Sequence, residues 1–362
     1  MKFGNDSSIT VENSGINSGV MAETNQGTII VNQYASSYSE TKAICLDIVR
    51  DEIAKYHDTA LIEIQKRFDE LFELLVKKLQ EKNMTDAQAL AEFKNPAMQF
   101  DYFEAQKAYM KAGTPELAEM LSNILVERIS ESSRSLLQIA LGEAIQVAPK
   151  LIPSQMATLA LTFVVGYTRN LSIESHKSFS EYLKTNVLLL FERGISQKAS
   201  EFQHLSFTGC SQQSAFERSL IGLLKGAYQG LFMKGFDKEK IPKAKCGQSL
   251  FDLYPLFIPC LNDKSKFQIN TMTEEILFEQ IQKMSIPLED ATALTTLFKE
   301  NILPDNEAQA LVEKLVPQMK GVFEYWDKGE IKHCFLSSVG IIIGAEYAHQ
   351  ITNRNYDLKI WI

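Results

Sequence analysis

"PSQMATLALTFVVGY", residues 153–167, decides how the chain is read. Pro153 suits the first turn of a helix, where its missing N–H would have had no partner anyway. The residues after it are apolar on nearly every side, unlike the single stripe of a surface helix. The run is also shorter than the ~20 residues a membrane-spanning helix needs. It therefore reads as the buried centre of a helical bundle. A second stretch, "FLSSVGIIIGAEYA" at 335–348, has the same character. Its Gly340-x-x-x-Gly344 spacing marks a helix face that another backbone can approach closely.

Helical signals extend outward on both sides. Thr114-Pro115-Glu116 reads as an N-cap followed by a helix start. Leu117, Met120, Leu121, Ile124, Leu125 and Ile129 then fall on one face. A further helix over 134–147 stops before Pro149. Upstream, 40–80 lacks Pro and Gly, and its apolar residues recur at gaps of three and four, predicting one long helix. Leu61, Ile64, Phe68, Leu71 and Leu75 fit a short heptad run within it. Downstream, helices are expected near 179–203 and 212–233, and again from Thr273 to Gln350 with breaks at Pro287, Pro304 and Gly329. Between them, 234–270 carries Pro242, Pro255 and Pro259 and reads as a boundary. The final "YDLKIWI" alternates apolar and polar residues and is expected as one strand.

The expected fold is mainly α, a multi-helix bundle or array with a small β-prone N-terminal element. The expected segments are a β-prone opening (1–38), a helical domain (39–235), a Pro- and Lys-containing connector (236–270) and a C-terminal helical region (271–362).

Of the 362 residues, 45% are hydrophobic and 23% charged, which is globular rather than disordered. The net charge of −8 opposes binding to nucleic acid or anionic membrane. Five scattered cysteines without a C-x-x-C point to free thiols in a reducing compartment. The N-terminus lacks the apolar core of a signal peptide. A cytoplasmic protein without a membrane span or nucleic-acid partner is expected.

Motifs of catalysis are sparse. There is no G-x-G-x-x-G, P-loop, G-x-S-x-G or H-E-x-x-H. Glu201-x-x-His204 and Glu346-x-x-His349 have the spacing of ferritin-like di-iron ligands. They supply the alternative of a helical di-metal enzyme, weighed against a chain with no catalytic residue, metal or cofactor. His333-Cys334 places a base beside a nucleophile, but adjacent helical residues point apart, and a core thiol is expected. Lys234, Lys238, Lys240, Lys243 and Lys245 are diluted by Asp237 and Glu239, as in a solvated loop. Gly222, Gly226 and Gly230 recur every fourth residue, so close helix packing along one face is expected. Leucine at 226 would then overpack it.

The opening "ITVENSGINSGVMAETNQGTIIV" contrasts with all of this. Short β-branched runs are separated by Asn-Ser-Gly, Asn-Ser-Gly and Asn-Gln-Gly, residues that tolerate tight turns. Such strands are too short to be stable alone. They can stay disordered or form a local hairpin, dock on the body, or stack with copies from other chains. In the stacked case, Ile9, Val11, Asn13, Gly15, Asn17, Gly19, Gly27, Ile29 and Val31 carry the assembly.

This opening resembles N-terminal segments of bacterial defence and signalling proteins, some of them amyloid-like assembly motifs. The region beginning "GTPELAEMLSNILVERI" and running to about 165 is similar to part of an uncharacterised bacterial helical family. It is more loosely similar to alpha-type abortive-infection proteins, in which a Leu-Leu helix precedes one starting with Pro and Ser. The resemblance implies a role in phage defence or stress signalling and carries over no catalytic residue. The expected function is that of a non-enzymatic, oligomerising bacterial protein, with the N-terminal segment mediating self-assembly. An adaptor that binds a partner helix or peptide is the further alternative.

Overall fold

The computed structural model describes residues 33–53, 58–84, 86–131 and 133–362. It is mainly α-helical, and its described strands are short pairs. The nine assembly residues from Ile9 to Val31 lie outside the described residues. The chain divides into two compact units, one up to Ala118 with Leu125–Ser132, the other Glu119–Ile124 with Ser133–Ile362.

The first unit contains α1 (Gln33–Ile53), α2 (Asp58–Glu81), α3 (Asp86–Phe93) and α4 (Pro96–Ala112). Helix α5 (Pro115–Ser130) runs across the division. The expected single helix over 40–80 is instead two helices that fold back on each other. Lys42 on α1 pairs with Asp69 on α2 at 2.8 Å, which a continuous helix, rising 1.5 Å per residue, would place far apart. The apolar periodicity supplies both packing faces, so Phe68, Leu71, Phe72 and Leu75 are fully buried. Helix α4 starts with an Asn95 side chain accepting from the Ala97 N–H and ends at Gly113 in the left-handed region. There the Arg67 guanidinium donates to the freed Met110 carbonyl at 2.7 Å. Buried Arg128 donates to Asp101 at 2.8 Å, yet burial still pushes the Asp101 carboxyl above its ordinary range.

The second unit is organised around two helices that the sequence marks as apolar all round. After α6 (Leu136–Val147) come α7 (Pro153–Gly166) and, much later, α17 (Ser338–Thr352). Residues 155–165 of α7 and 339–348 of α17 are buried, and the two helices pack together, with α6 also on α17. A Cβ on Gly344 would sit 2.8 Å from the Leu159 carbonyl oxygen and 3.2 Å from Phe163 Cβ. One on Gly340 would strike the Cys210 carbonyl. The Gly-x-x-x-Gly expectation holds.

Between α7 and α17 the chain builds a wrapping of shorter elements. Helix α8 (His176–Tyr182) passes through a π-helical stretch, Leu183–Leu188, into a last turn, α9 (Leu189–Phe191). Next come α10 (Ala199–Phe207), strand β1 (Ser211–Gln213) and α11 (Leu220–Ala227). Strand β1 pairs antiparallel with β4 (Cys334–Leu336), with Gln212 opposite Phe335. Arg218 reinforces this pair, its guanidinium 4.0 Å from the Phe335 ring centroid.

Residues 236–270, expected as a connector, belong to the body of the second unit. They form α12 (Leu250–Leu253) and an antiparallel pair, β2 (Phe257–Pro259) with β3 (Phe267–Ile269). The prolines break helix here, but Phe236, Ile241, Leu250, Leu256 and Ile269 are buried in one apolar cluster. That cluster continues into α13 (Glu274–Lys283) and α14 (Leu288–Glu300). Thr273 caps α13 by accepting from the Ile276 N–H, and α14 begins after Pro287. Helices α15 (Asp305–Leu315) and α16 (Met319–Lys328) precede β4 and α17.

Two expectations are corrected. The terminal "YDLKIWI" is not a strand but contains a 3₁₀ turn over Leu358–Ile360. Its aromatic residues dock on α7: the Tyr356 and Trp361 rings each meet Phe163 at 5.0 Å, and the Trp361 indole N–H donates to the Tyr167 carbonyl at 2.9 Å. The glycine row at 222, 226 and 230 is not a packing face. Helix α11 ends at Ala227, so Gly230 lies on a 3₁₀ turn, and a Cβ on Gly226 would meet nothing within 4 Å. Spacing by four has meaning only while the helix continues.

Opposite outcomes are expected at two glycines. Gly344→Leu should destabilise by about 1–3 kcal/mol through overpacking against α7. Gly226→Ala, in open space on a helix, should stabilise by up to about 1 kcal/mol. Urea denaturation of both variants, followed by circular dichroism, measures the two signs.

Candidate functional site

The second unit holds a pocket of about 390 Å³. Five separate stretches of chain build it: the 169–174 loop after α7, Tyr228 to Gly230 after α11, the β2–β3 pair, the 270–272 turn, and α13. The loop is fixed where the Asn170 N–H donates to the hydroxyl of buried Tyr228 at 2.8 Å. Burial raises the Tyr228 phenol, so it stays a neutral hydrogen-bonding group.

Gly230 joins two of the walls. Its N–H donates to the Met272 carbonyl at 2.9 Å, and a side chain there would collide with the Thr271 carbonyl. Its own carbonyl accepts from Gln268 Nε2 at 3.0 Å. Gln268, 2% exposed, uses its other amide atom to accept from the Leu261 N–H at 2.8 Å. Both ends of the buried amide are satisfied, so it pins the hairpin in place.

The polar lining is more open. Arg169 donates through Nη1 to Thr273 Oγ1 at 3.3 Å and lies 4.0 Å from exposed Glu275. Hydrogen bonds from Thr273 and from its own backbone, with the Arg169 charge, hold the Glu275 carboxyl below its ordinary range. Gln280 donates to the Asn270 carbonyl at 3.2 Å, while its buried Oε1 has no hydrogen-bond partner among the described residues. Exposed Glu174 completes the charged set, and Ile258, Leu261 and Ile276 line the apolar side.

The Glu-x-x-His pairs are not brought together. On α10, the Glu201 carbonyl accepts from Gln155 Nε2 at 2.8 Å, and His204 Nδ1 lies 3.0 Å from the same amide. His349 Nδ1 sits 2.9 Å from the Arg354 carbonyl at the end of its own helix, and Glu346 is buried on α17. Both imidazoles are engaged locally. Among the described residues no group of three His, Cys, Asp or Glu side chains converges as a metal site would require. Glu201, His204, Glu346 and His349, the residues of the di-metal alternative, are not gathered into one such cluster.

His333 and Cys334 also part company. His333 Nδ1 lies 3.0 Å from the Ser214 carbonyl, while Cys334 is buried and desolvation pushes its thiol up to about 11. Burial likewise takes Cys210 to about 11 and Cys45 to about 12. The basic loop is ion-paired at the surface, Lys240 with Asp237 at 3.3 Å and Lys245 with Glu289 at 3.6 Å. No helix among the described residues is long and apolar enough to cross a membrane.

Of the pocket residues only Gly230 stood out in the sequence, and as part of a glycine row, not of a site. One signal was present without being specific, a Gly at 230 beside aromatic and amide residues. The positions come from five stretches that no local periodicity connects.

A family model described as ":-like" matches residues 35–362. No curated protein and no solved structure matches the chain. The family match covers both compact units, begins near the start of α1, and carries no link to abortive-infection proteins. The chain belongs to that family, whose description assigns it no activity.

Proposed function

We propose that the protein acts by binding and self-assembly rather than by catalysis, the N-terminal segment joining copies and the helical body recognising a ligand. The observation that carries this reading is the make-up of the pocket. Its polar groups are amides, backbone groups, the hydroxyls of Tyr228 and Thr271, one guanidinium and one exposed carboxylate, a set suited to recognition. Catalytic nucleophiles are activated by lowered pKa values, whereas Cys45, Cys210 and Cys334 are shifted the other way.

Support for assembly comes from the β-prone opening, whose runs are too short to be stable singly and whose turns permit stacking. Large apolar side chains are also exposed on the second unit: Phe207 at the end of α10 is 88% exposed and Phe216 after β1 is 80% exposed. A role in bacterial phage defence or stress signalling is the setting we propose for it, on the resemblance in residues 1–35 and 113–165.

Native mass measurement at several concentrations tests the assembly. Proline at 29 removes a ladder N–H, so Ile29→Pro should lower the assembly state and leave the helical circular-dichroism signal intact. An unchanged mass would assign any oligomer to the helices. The thiols give a separate test. Near pH 8 a thiol reagent should label Cys246, the one exposed cysteine, quickly, and the other four only after unfolding. Rapid native labelling of Cys334 would reopen a nucleophilic role.

A further inference from the structure

The pocket presents opposite charges on one wall system. Arg169 and Glu174, five residues apart on the loop after α7, both line it. Arg169 keeps only a 3.3 Å hydrogen bond to Thr273 and a 4.0 Å approach to exposed Glu275, neither of them the paired geometry a guanidinium makes with a carboxylate. Beside these groups lie Ile258, Leu261 and Ile276, an aliphatic patch without charge.

We propose that this pocket binds a free α-amino acid with an aliphatic side chain. The carboxylate would take the paired N–H groups of Arg169. The ammonium, with three donors and no acceptor, would be held by the Glu174 carboxylate. The side chain would displace water from Ile258, Leu261 and Ile276. A zwitterion adds no net charge to a pocket whose charged lining residues are one cation, Arg169, and one anion, Glu174. The volume of about 390 Å³ lies toward the small end of ligand sites, in keeping with a metabolite rather than a peptide. This assignment rests on the reading of the protein as a binding protein.

Isothermal titration calorimetry on the full chain tests it with three probes: L-leucine, isoamylamine, which lacks the carboxylate, and isocaproate, which lacks the ammonium. Leucine should bind, and each analogue should bind at least about tenfold more weakly. Arg169→Gln should reduce leucine to the affinity of isoamylamine, and Glu174→Gln should reduce it to that of isocaproate. Because Arg169 also supports Thr273, the exposed Glu174→Gln variant decides alone if Arg169→Gln proves unfolded. Three results overturn the assignment: no heat with leucine up to about 10 mM, analogues that bind as well as leucine, or leucine binding unchanged in the folded variants. If leucine fails while Ile29→Pro still lowers the native mass, the ligand assignment falls and the assembly reading stands. Leucine binding with an unchanged mass in Ile29→Pro separates them the other way.

Discussion

The close approach of α17 to α7 at Gly344 is the constraint on which the second unit depends. Where Leu159 offers its carbonyl oxygen, no side chain fits, so the two backbones meet directly. That allows two helices apolar on every side to shield one another, with α6 covering α17 as well. The terminal aromatics then close over Phe163, and β4 reaches α7 beside α17. Enlarging one atom position at 344 would separate the elements around which the others are arranged. Packing at interior density leaves little room for such a shift.

What the sequence disclosed followed from local chemistry. The all-round apolarity of 153–167, the Pro153 start and the Gly340–Gly344 spacing identified the centre correctly, because each depends on neighbours within a turn or two. Long-range return was not legible. The fold-back between α1 and α2, which brings Lys42 to Asp69, leaves no mark in the sequence, since a continuous amphipathic stripe serves one helix or two equally well. Prolines within 236–270 signalled the absence of helix but not the burial of Phe236, Leu256 and Ile269. At Gly222 and Gly226 a true periodicity carried a false inference, because α11 is short and that face points outward. The pocket was the least visible feature, its walls being joined by backbone contacts such as Gly230 to Met272 that leave no pattern in composition.

The pocket also illustrates how a fold divides its polar groups. Gln268 spends both ends of its amide on backbone and becomes a fastening for the hairpin. Gln280, twelve residues further on and chemically identical, spends one end on the Asn270 carbonyl and leaves the other buried without a partner among the described residues. Only the second has a hydrogen bond left to make. A fully satisfied group has nothing further to offer, and an unsatisfied one favours whatever completes it.

The separation of α7 and α17 along the chain has a consequence during synthesis. About 170 residues lie between Gly166 and Ser338, and translation at the usual pace covers that distance in on the order of 10 to 30 seconds. For that interval α7 has left the ribosome without the helix that shields it, and an oily segment lacking a polar face is a substrate for chaperones. Emerging α6 offers only part of a cover. The pace of translation between the two helices and the supply of chaperone therefore bear on how much chain reaches the native state.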